Sequence, residues 1–390
     1  MQKIIYAVLL SSLVYGCQNS ISSIQPTVSQ PPLLDDSFIS HQTFIVESEE
    51  DIFALDNEMK LMVSKKLKPD KDIKRRTLKL LKQIFDSEGI SLTYKSNANV
   101  NARQAYHNKQ ANCLSLTIMA YALANEAELN VKFQQVDTPE YWVRNGEYNL
   151  LTGHVNLLVK QKSFDTNTFI WGSNGFQIDF DPLASKSSFK RTVIQKNTVL
   201  AMFYNNKGAE ALVEGNYNSA YMYFKEAAII EPLFSQTWGN LGILYKYINK
   251  HNEAEQSYRY AIYLDSNNFT AMENLAILLT QQEKFDEAAS IKHKLHIKRS
   301  SNPYYYALLA DDAFYEGNLE QAISYYKKAI KMERKAHEFH FGLAKAYFQM
   351  NKPKLAKKSL KRAIAYNRSR GSEKLYTAKL NLMRDNDIEN

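Results

Sequence analysis

The sequence predicts two units in tandem, a mixed α+β unit over residues 46–195 followed by an all-α solenoid of helix pairs over residues 201–370. Three observations carry this. From Ala201 onward one residue pattern recurs five times without a gap at a period of 34 residues, which is the spacing of a helix-turn-helix array. Ahead of it, an alanine-rich apolar helical stretch precedes short apolar runs of β character at 130–136, 155–159 and 176–180. Composition agrees: 45% hydrophobic and 12% aromatic residues in 390 give enough apolar matter for two ordinary domains and exclude a disordered chain. The formal charge of +8 favours anionic surfaces in general, and it is too modest to imply a nucleic-acid partner.

The chain opens on an address. Lys3 precedes an apolar run at 4–13, too short to span a bilayer, and Val14-Tyr15-Gly16-Cys17 follows at once. The end of this signal peptide (residues 1–17) resembles a bacterial lipobox, although Tyr15 departs from the small residue usual at its position. The resemblance implies lipidation of Cys17 and attachment to a membrane through that lipid. With Gln18 rather than Asp next, it further implies the bacterial cell envelope, at the outer membrane facing the periplasm. Only two cysteines exist in the chain, so lipidation of Cys17 leaves Cys113 with no partner for an internal disulfide.

Residues 18–45, rich in Ser, Gln, Thr and Pro, read as a flexible tether. Between 51 and 85 apolar residues recur every three or four positions, which predicts helix, and Pro69 divides it. The lysines at 65–82 read as a solvated helix face or as a contact for anionic lipid or wall polymer. The stretch 114–129 predicts a buried helix of about four turns, with Asn112 as its cap. Cys113 then falls in the first turn, where free N–H groups and the helix dipole favour a thiolate. The three β-type runs follow. If the last two pair antiparallel, His154 and Asp179 become cross-strand neighbours, and the helix on the sheet brings Cys113 to His154.

Cysteine, histidine and carboxylate in this order are the parts of a thiol acyl-transfer site. The pieces Asn112-Cys113-Leu114-Ser115-Leu116-Thr117, His154-Val155-Asn156 and Ile178-Asp179-Phe180-Asp181, with Cys113 and His154 41 residues apart and His154 and Asp179 25 apart, resemble the transglutaminase-like superfamily. The resemblance covers about 92–182 and implies a papain-like α+β fold with Cys113, His154 and Asp179 as a catalytic triad. Asp181, followed by Pro182, is the alternative third member. Gln110 or Asn112 would add an oxyanion donor beside the Cys113 N–H. His107 also precedes the cysteine. No metal-ligand spacing and no phosphate loop occurs, so no cofactor and no metal is expected.

In the second half, the repeat positions hold Tyr204, Gly208, Ala211, Tyr217, Ala220 and Phe224 in the first copy and Trp238, Leu241, Gly242, Tyr245, Ala254 and Tyr258 in the second. Small residues let the two helices of a pair approach, and large ones fill the space between them. The array resembles the tetratricopeptide (TPR) family, which implies five repeats on one continuous core and a concave groove for protein or peptide partners. Asn205, Ile243, Glu273, Tyr304, Phe314, Phe341 and Phe348 are among the groove-lining positions; their aromatics serve equally well as packing between repeats. Lys292 and Leu295 make the third repeat irregular, and 371–390 reads as a capping helix and tail. Two functions follow. One is an envelope-anchored cysteine amidase, peptidase or transamidase presented by a binding array. The other is a non-catalytic periplasmic adaptor that binds partner proteins through the groove.

Overall fold

The computed structural model describes residues 29–38, 45–85, 90, 93–95, 98–138, 142–145, 148–151, 153–160, 176–179, 189–367 and 377. The signal peptide, Cys17, Asp181 and the helix expected near the C-terminus lie outside the described residues. No described helix is long and apolar enough to cross a membrane.

The first half begins with short capped helices. Ser48 and Asp51 form a capping box on α1 (Glu49–Phe53), and Asp56 accepts from Met59 N at the start of α2 (Asn57–Met62). A π-helical turn (Val63–Leu67) runs up to Pro69, where the helix stops as expected, and α3 (Ile73–Phe85) follows. The short strands β1 (Thr93–Tyr94) and β2 (Gln110–Ala111) pair in parallel around α4 (Ala102–Asn108), whose cap is Asn101. Next comes α5 (Cys113–Glu126), which ends before the sequence-based bound because Glu128 takes a left-handed φ of 57°.

The strands β3 (Asn130–Val136), β6 (His154–Lys160), β7 (Phe176–Ile178) and β8 (Arg191–Ile194) form one antiparallel sheet in the order β7-β6-β3-β8. The hairpin β4 (Trp142–Asn145) and β5 (Tyr148–Leu151) stands apart. Helix α5 packs on β3 and β6 and also touches α1, α2, α3 and α4, so nearly every residue from Cys113 to Ala124 is buried. Such a helix needs no polar face, which is why its sequence reads as uniformly apolar.

Five helix pairs follow: α6 (Lys196–Val213) with α7 (Tyr217–Ile230), α8 (Ser235–Tyr247) with α9 (His251–Leu264), α10 (Phe269–Gln281) with α11 (Phe285–Arg299), α12 (Pro303–Tyr315) with α13 (Leu319–Met332), and α14 (His337–Gln349) with α15 (Pro353–Tyr366). The first helices of pairs two to five begin at Ser235, Phe269, Pro303 and His337, in step with the sequence repeat. The turn inside each pair puts one residue in the left-handed region, and these residues too recur in step: Gly215, Asn249, Glu283, Gly317 and Asn351. Glycine and asparagine suit that conformation; Glu283, in the third repeat, does not.

The expectation of one continuous core is corrected. Buried apolar residues from Ala211 to Ala288 form one cluster, the first turns of α6 join the core of the α+β unit, and separate clusters serve repeats four and five. The break falls on α11, where Lys292, His293, Lys294, His296 and Lys298 are exposed and Ala288, Leu295 and Arg299 are the buried residues. Arg299, 1% exposed, fills the space beyond with a 2.8 Å ion pair to Glu273 and its guanidinium over the Phe269 and Tyr305 rings.

Candidate functional site

Asn112 closes the loop ahead of α5 as predicted, with its side-chain oxygen accepting from Ser115 N at 2.8 Å. Its amide nitrogen donates one of its two N–H groups to Asn99 Oδ1 at 3.5 Å. Gln110, the other oxyanion candidate, is exposed.

This cap sets Cys113 at the first turn of α5, over the start of β6. Cys113 Sγ lies 3.2 Å from His154 Nδ1, and His154 Nε2 lies 2.7 Å from Asp179 Oδ1. The three side chains are therefore in file, with the two imidazole nitrogens facing opposite partners. All are buried: Cys113 is 9% exposed, and the His154 and Asp179 side chains are 6% and 8% exposed. Burial opposes charge on His154, but the hydrogen bond to Asp179, that to Cys113 and the charges of both together push its pKa up to about 10 from 6.5. With Nε2–H donated to the carboxylate, the second proton of the charged ring sits on Nδ1, facing the Cys113 sulfur.

Two residues with no role in the sequence reading complete the cluster. Asn156 Nδ2 donates to the second carboxylate oxygen of Asp179 at 2.9 Å, which fixes the plane of that carboxylate. Thr117 Oγ1 donates to Cys113 O at 2.9 Å and to Val155 O at 3.2 Å, tying α5 to β6 beside the sulfur; the thiol itself reaches Val155 O at 3.3 Å. The signals were present in the spacing. Asn156 follows His154 by two on a strand, and Thr117 follows Cys113 by four on a helix, so each shares its neighbour's face. His107 is placed elsewhere, paired with Asp56 at 2.6 Å. That pair, with the Met59 N–H, holds the Asp56 carboxyl below its usual range. No group of three or more potential metal ligands occurs among the described residues.

Four of the expected groove positions are committed to other helices. Asn205 is buried and accepts from Asn240 Nδ2 at 2.9 Å, Ile243 packs on the core, Glu273 pairs with Arg299, and Tyr304 meets Phe339 edge to face at 5.1 Å. Of these four, Asn205 is buried, Ile243 and Tyr304 are half-buried, and Glu273 is exposed beside its ion pair. The open part is Phe348, 53% exposed, with half-buried Phe314 and Phe341. Lys345 Nζ stands 5.1 Å from the Phe314 ring and 5.8 Å from the Phe341 ring.

The tetratricopeptide-repeat profiles match residues 235–268 and 313–375. Among proteins of known role, the chain is similar to the human protein O-mannosyl-transferase TMTC3, at 26% identity over 190 residues, covering 45% of this chain and 20% of that protein. It is similar to the bovine BBSome complex member BBS4 at 24% identity over 156 residues, covering 40% of this chain and 30% of that one. The chain thus spans less than a third of either relative. Among solved structures, Pseudomonas aeruginosa pilF aligns at 18% identity and a TM-score of 0.30, covering 50% of this chain and 88% of that chain. YrrB, a TPR protein with an unusual peptide-binding site, aligns at 16% identity and a TM-score of 0.26, covering 46% and 92%. Tetratricopeptide repeats are thus matched at the second helix pair and from the end of α12 through α15, and repeats of that kind bind proteins or peptides.

Proposed function

We propose that this protein is an adaptor that takes up a partner protein or peptide on its TPR array, at the face made by Phe314, Phe341, Phe348 and Lys345. The carrying observation is the pair of profile matches, one of which spans this face. Aromatic rings beside an ammonium that is itself paired with Asp311 at 3.7 Å suit an extended segment with apolar anchors. Complementation of a deletion strain tests it. Cys113→Ala is expected to restore function and Phe314→Ala to fail; loss of function in Cys113→Ala would count against a purely adaptor role.

A second reading is favoured by the 3.2 Å and 2.7 Å contacts in the Cys113–His154–Asp179 file. In it the first half is a transglutaminase-like acyl-transfer unit. With the proton already on His154 Nδ1, Sγ attacks an amide carbonyl as the thiolate, and a C–S bond forms. The proton passes from Nδ1 to the leaving amine as the C–N bond breaks. The thioester is then resolved by water or by an acceptor amine. The Cys113 backbone N–H is the oxyanion donor expected at a helix start. Labelling of Cys113 by thiol-directed acylating probes at mildly acidic pH is expected to depend on His154; equal labelling of His154→Ala would sink the activation claim. In either reading we place the protein in a bacterial envelope, lipid-anchored through Cys17. Incorporation of labelled fatty acid that persists in Cys17→Ser would refute this.

A further inference from the structure

Part of the segment read as a flexible tether is held on the array. Residues 31–38 run along α7 and α8. Phe38 stacks flat on Tyr221, ring centres 4.0 Å apart and planes within 6°, and is itself 8% exposed. Asp35 Oδ1 accepts from Tyr221 OH at 2.7 Å and from Lys225 Nζ at 2.6 Å. Tyr245 OH donates to Pro32 O at 3.4 Å, and Leu33 and Leu34 pack on the core of repeats one to three. These are a stacked aromatic, a carboxylate shared by a phenol and an ammonium, and a backbone carbonyl capped by a second phenol. Tyr221 and Tyr245 belong to the array, yet their hydroxyl groups are answered from outside it. None of the engaged array residues is at a groove-lining position.

We infer that this face of α7 and α8 is a second peptide-docking site on the array, closed in cis by residues 31–38. Its ligand in trans is an extended peptide of the same chemistry: an apolar run opened by proline, a carboxylate, and an aromatic ring three residues after it. Because the resident segment is covalently joined, it competes at the high effective concentration of a tethered ligand. A free peptide therefore gains access when the segment is weakened or pulled away. The site stands whether or not the groove takes a partner or Cys113 reacts.

The test uses the full chain and a fluorescent synthetic peptide with the sequence of residues 29–40, read by anisotropy. The double variant Asp35→Lys, Phe38→Ala, with helicity checked by circular dichroism, is expected to bind the peptide at least tenfold more tightly than the wild type. Adding Lys225→Glu should return binding to the wild-type level, while adding Phe314→Ala should leave it unchanged. An opened variant that binds no more tightly, or a Lys225→Glu change without effect, would overturn the proposal. A wild-type measurement covers the case in which the double variant does not fold. Excess unlabelled peptide should expose residues 29–38 to limited proteolysis, and unchanged cleavage there overturns it equally.

Discussion

Replacing Gly242 by alanine places a methyl carbon 2.6 Å from both Cδ1 and Cε1 of the Tyr258 ring, and Tyr258 is fully buried between α8 and α9. Resting carbon–carbon contacts lie at about 3.5–4.0 Å, so the ring or the helix must retreat by roughly 1 Å. Overpacking of this kind costs about 1–3 kcal/mol. The substitution also gains about 1 kcal/mol of helix propensity, which would confuse the reading of this variant alone. Gly239 on the same helix supplies the comparison, because a methyl there meets its nearest neighbour, Asn268 Nδ2, at an ordinary 3.5 Å. The propensity gain is common to both, so the difference between Gly239→Ala and Gly242→Ala isolates the packing cost of about 1–3 kcal/mol. Urea denaturation followed by circular dichroism measures it, and Gly239→Ala should match or exceed the wild type. Equal stability of the two variants would refute the claim that this small residue is there to let α8 approach the Tyr258 ring.

Further outcomes are expected. His154 is held protonated in the fold well above its ordinary range, so the stability it contributes is fully present below about pH 6.5 and is lost as pH rises through about 10. The denaturation midpoint of the wild type relative to Asp179→Asn should therefore shrink across that window, and a constant difference would contradict the ion-paired file. Asn112→Ala removes the cap on α5 and should cost about 1 kcal/mol, with Asn112→Asp retaining most of it; thermal melts decide, and Cys113 labelling should fall less than in His154→Ala. Glu273→Gln takes the carboxylate from Arg299, which is 1% exposed, and should cost about 1.5–3 kcal/mol in urea titrations. Arg299→Met, which removes the charge as well, should cost less than Arg299→Ala.

The array was legible because its information is local and repeated: a step of one period in sequence is a step of one helix pair in space, down to the left-handed residue of each turn. The file of Cys113, His154 and Asp179 was legible in another way. A helix cap and two strand ends fix where side chains leave the backbone, and antiparallel pairing fixes which ends meet. What local pattern does not encode is pairing at long range. Asp35 and Tyr221 are 186 residues apart, and nothing in a run of Ser, Gln and Pro marks the carboxylate that will meet a phenol on α7. The same holds for His107 and Asp56, 51 residues apart, where one carboxylate oxygen caps α2 and the other meets the imidazole. The break after the third repeat was half visible, in Lys292 and Leu295. Its consequence, a buried Arg299 between separate clusters, depends on which face of α11 the neighbouring helices leave uncovered.

The two halves share more than a peptide bond. Helix α6 begins five residues before the repeat pattern does, and its first turns are buried in the core of the α+β unit: Val199, Leu200, Ala201, Phe203 and Tyr204 join the same cluster as Ile118, Phe133 and Leu157. Asn99 Nδ2 donates to Phe203 O at 3.1 Å, and Tyr204 OH donates to Glu47 O at 2.8 Å. Asn99 also receives the amide of Asn112, the residue that caps α5 and places Cys113. One buried asparagine thus links the first helix of the array to the cap beneath the cysteine. Cutting the chain near residue 200 would run through a packed core and expose Leu200 and Phe203, so an array fragment started there should aggregate. Helix α6 is thus shared between repeat one of the array and the core in which Cys113 is buried.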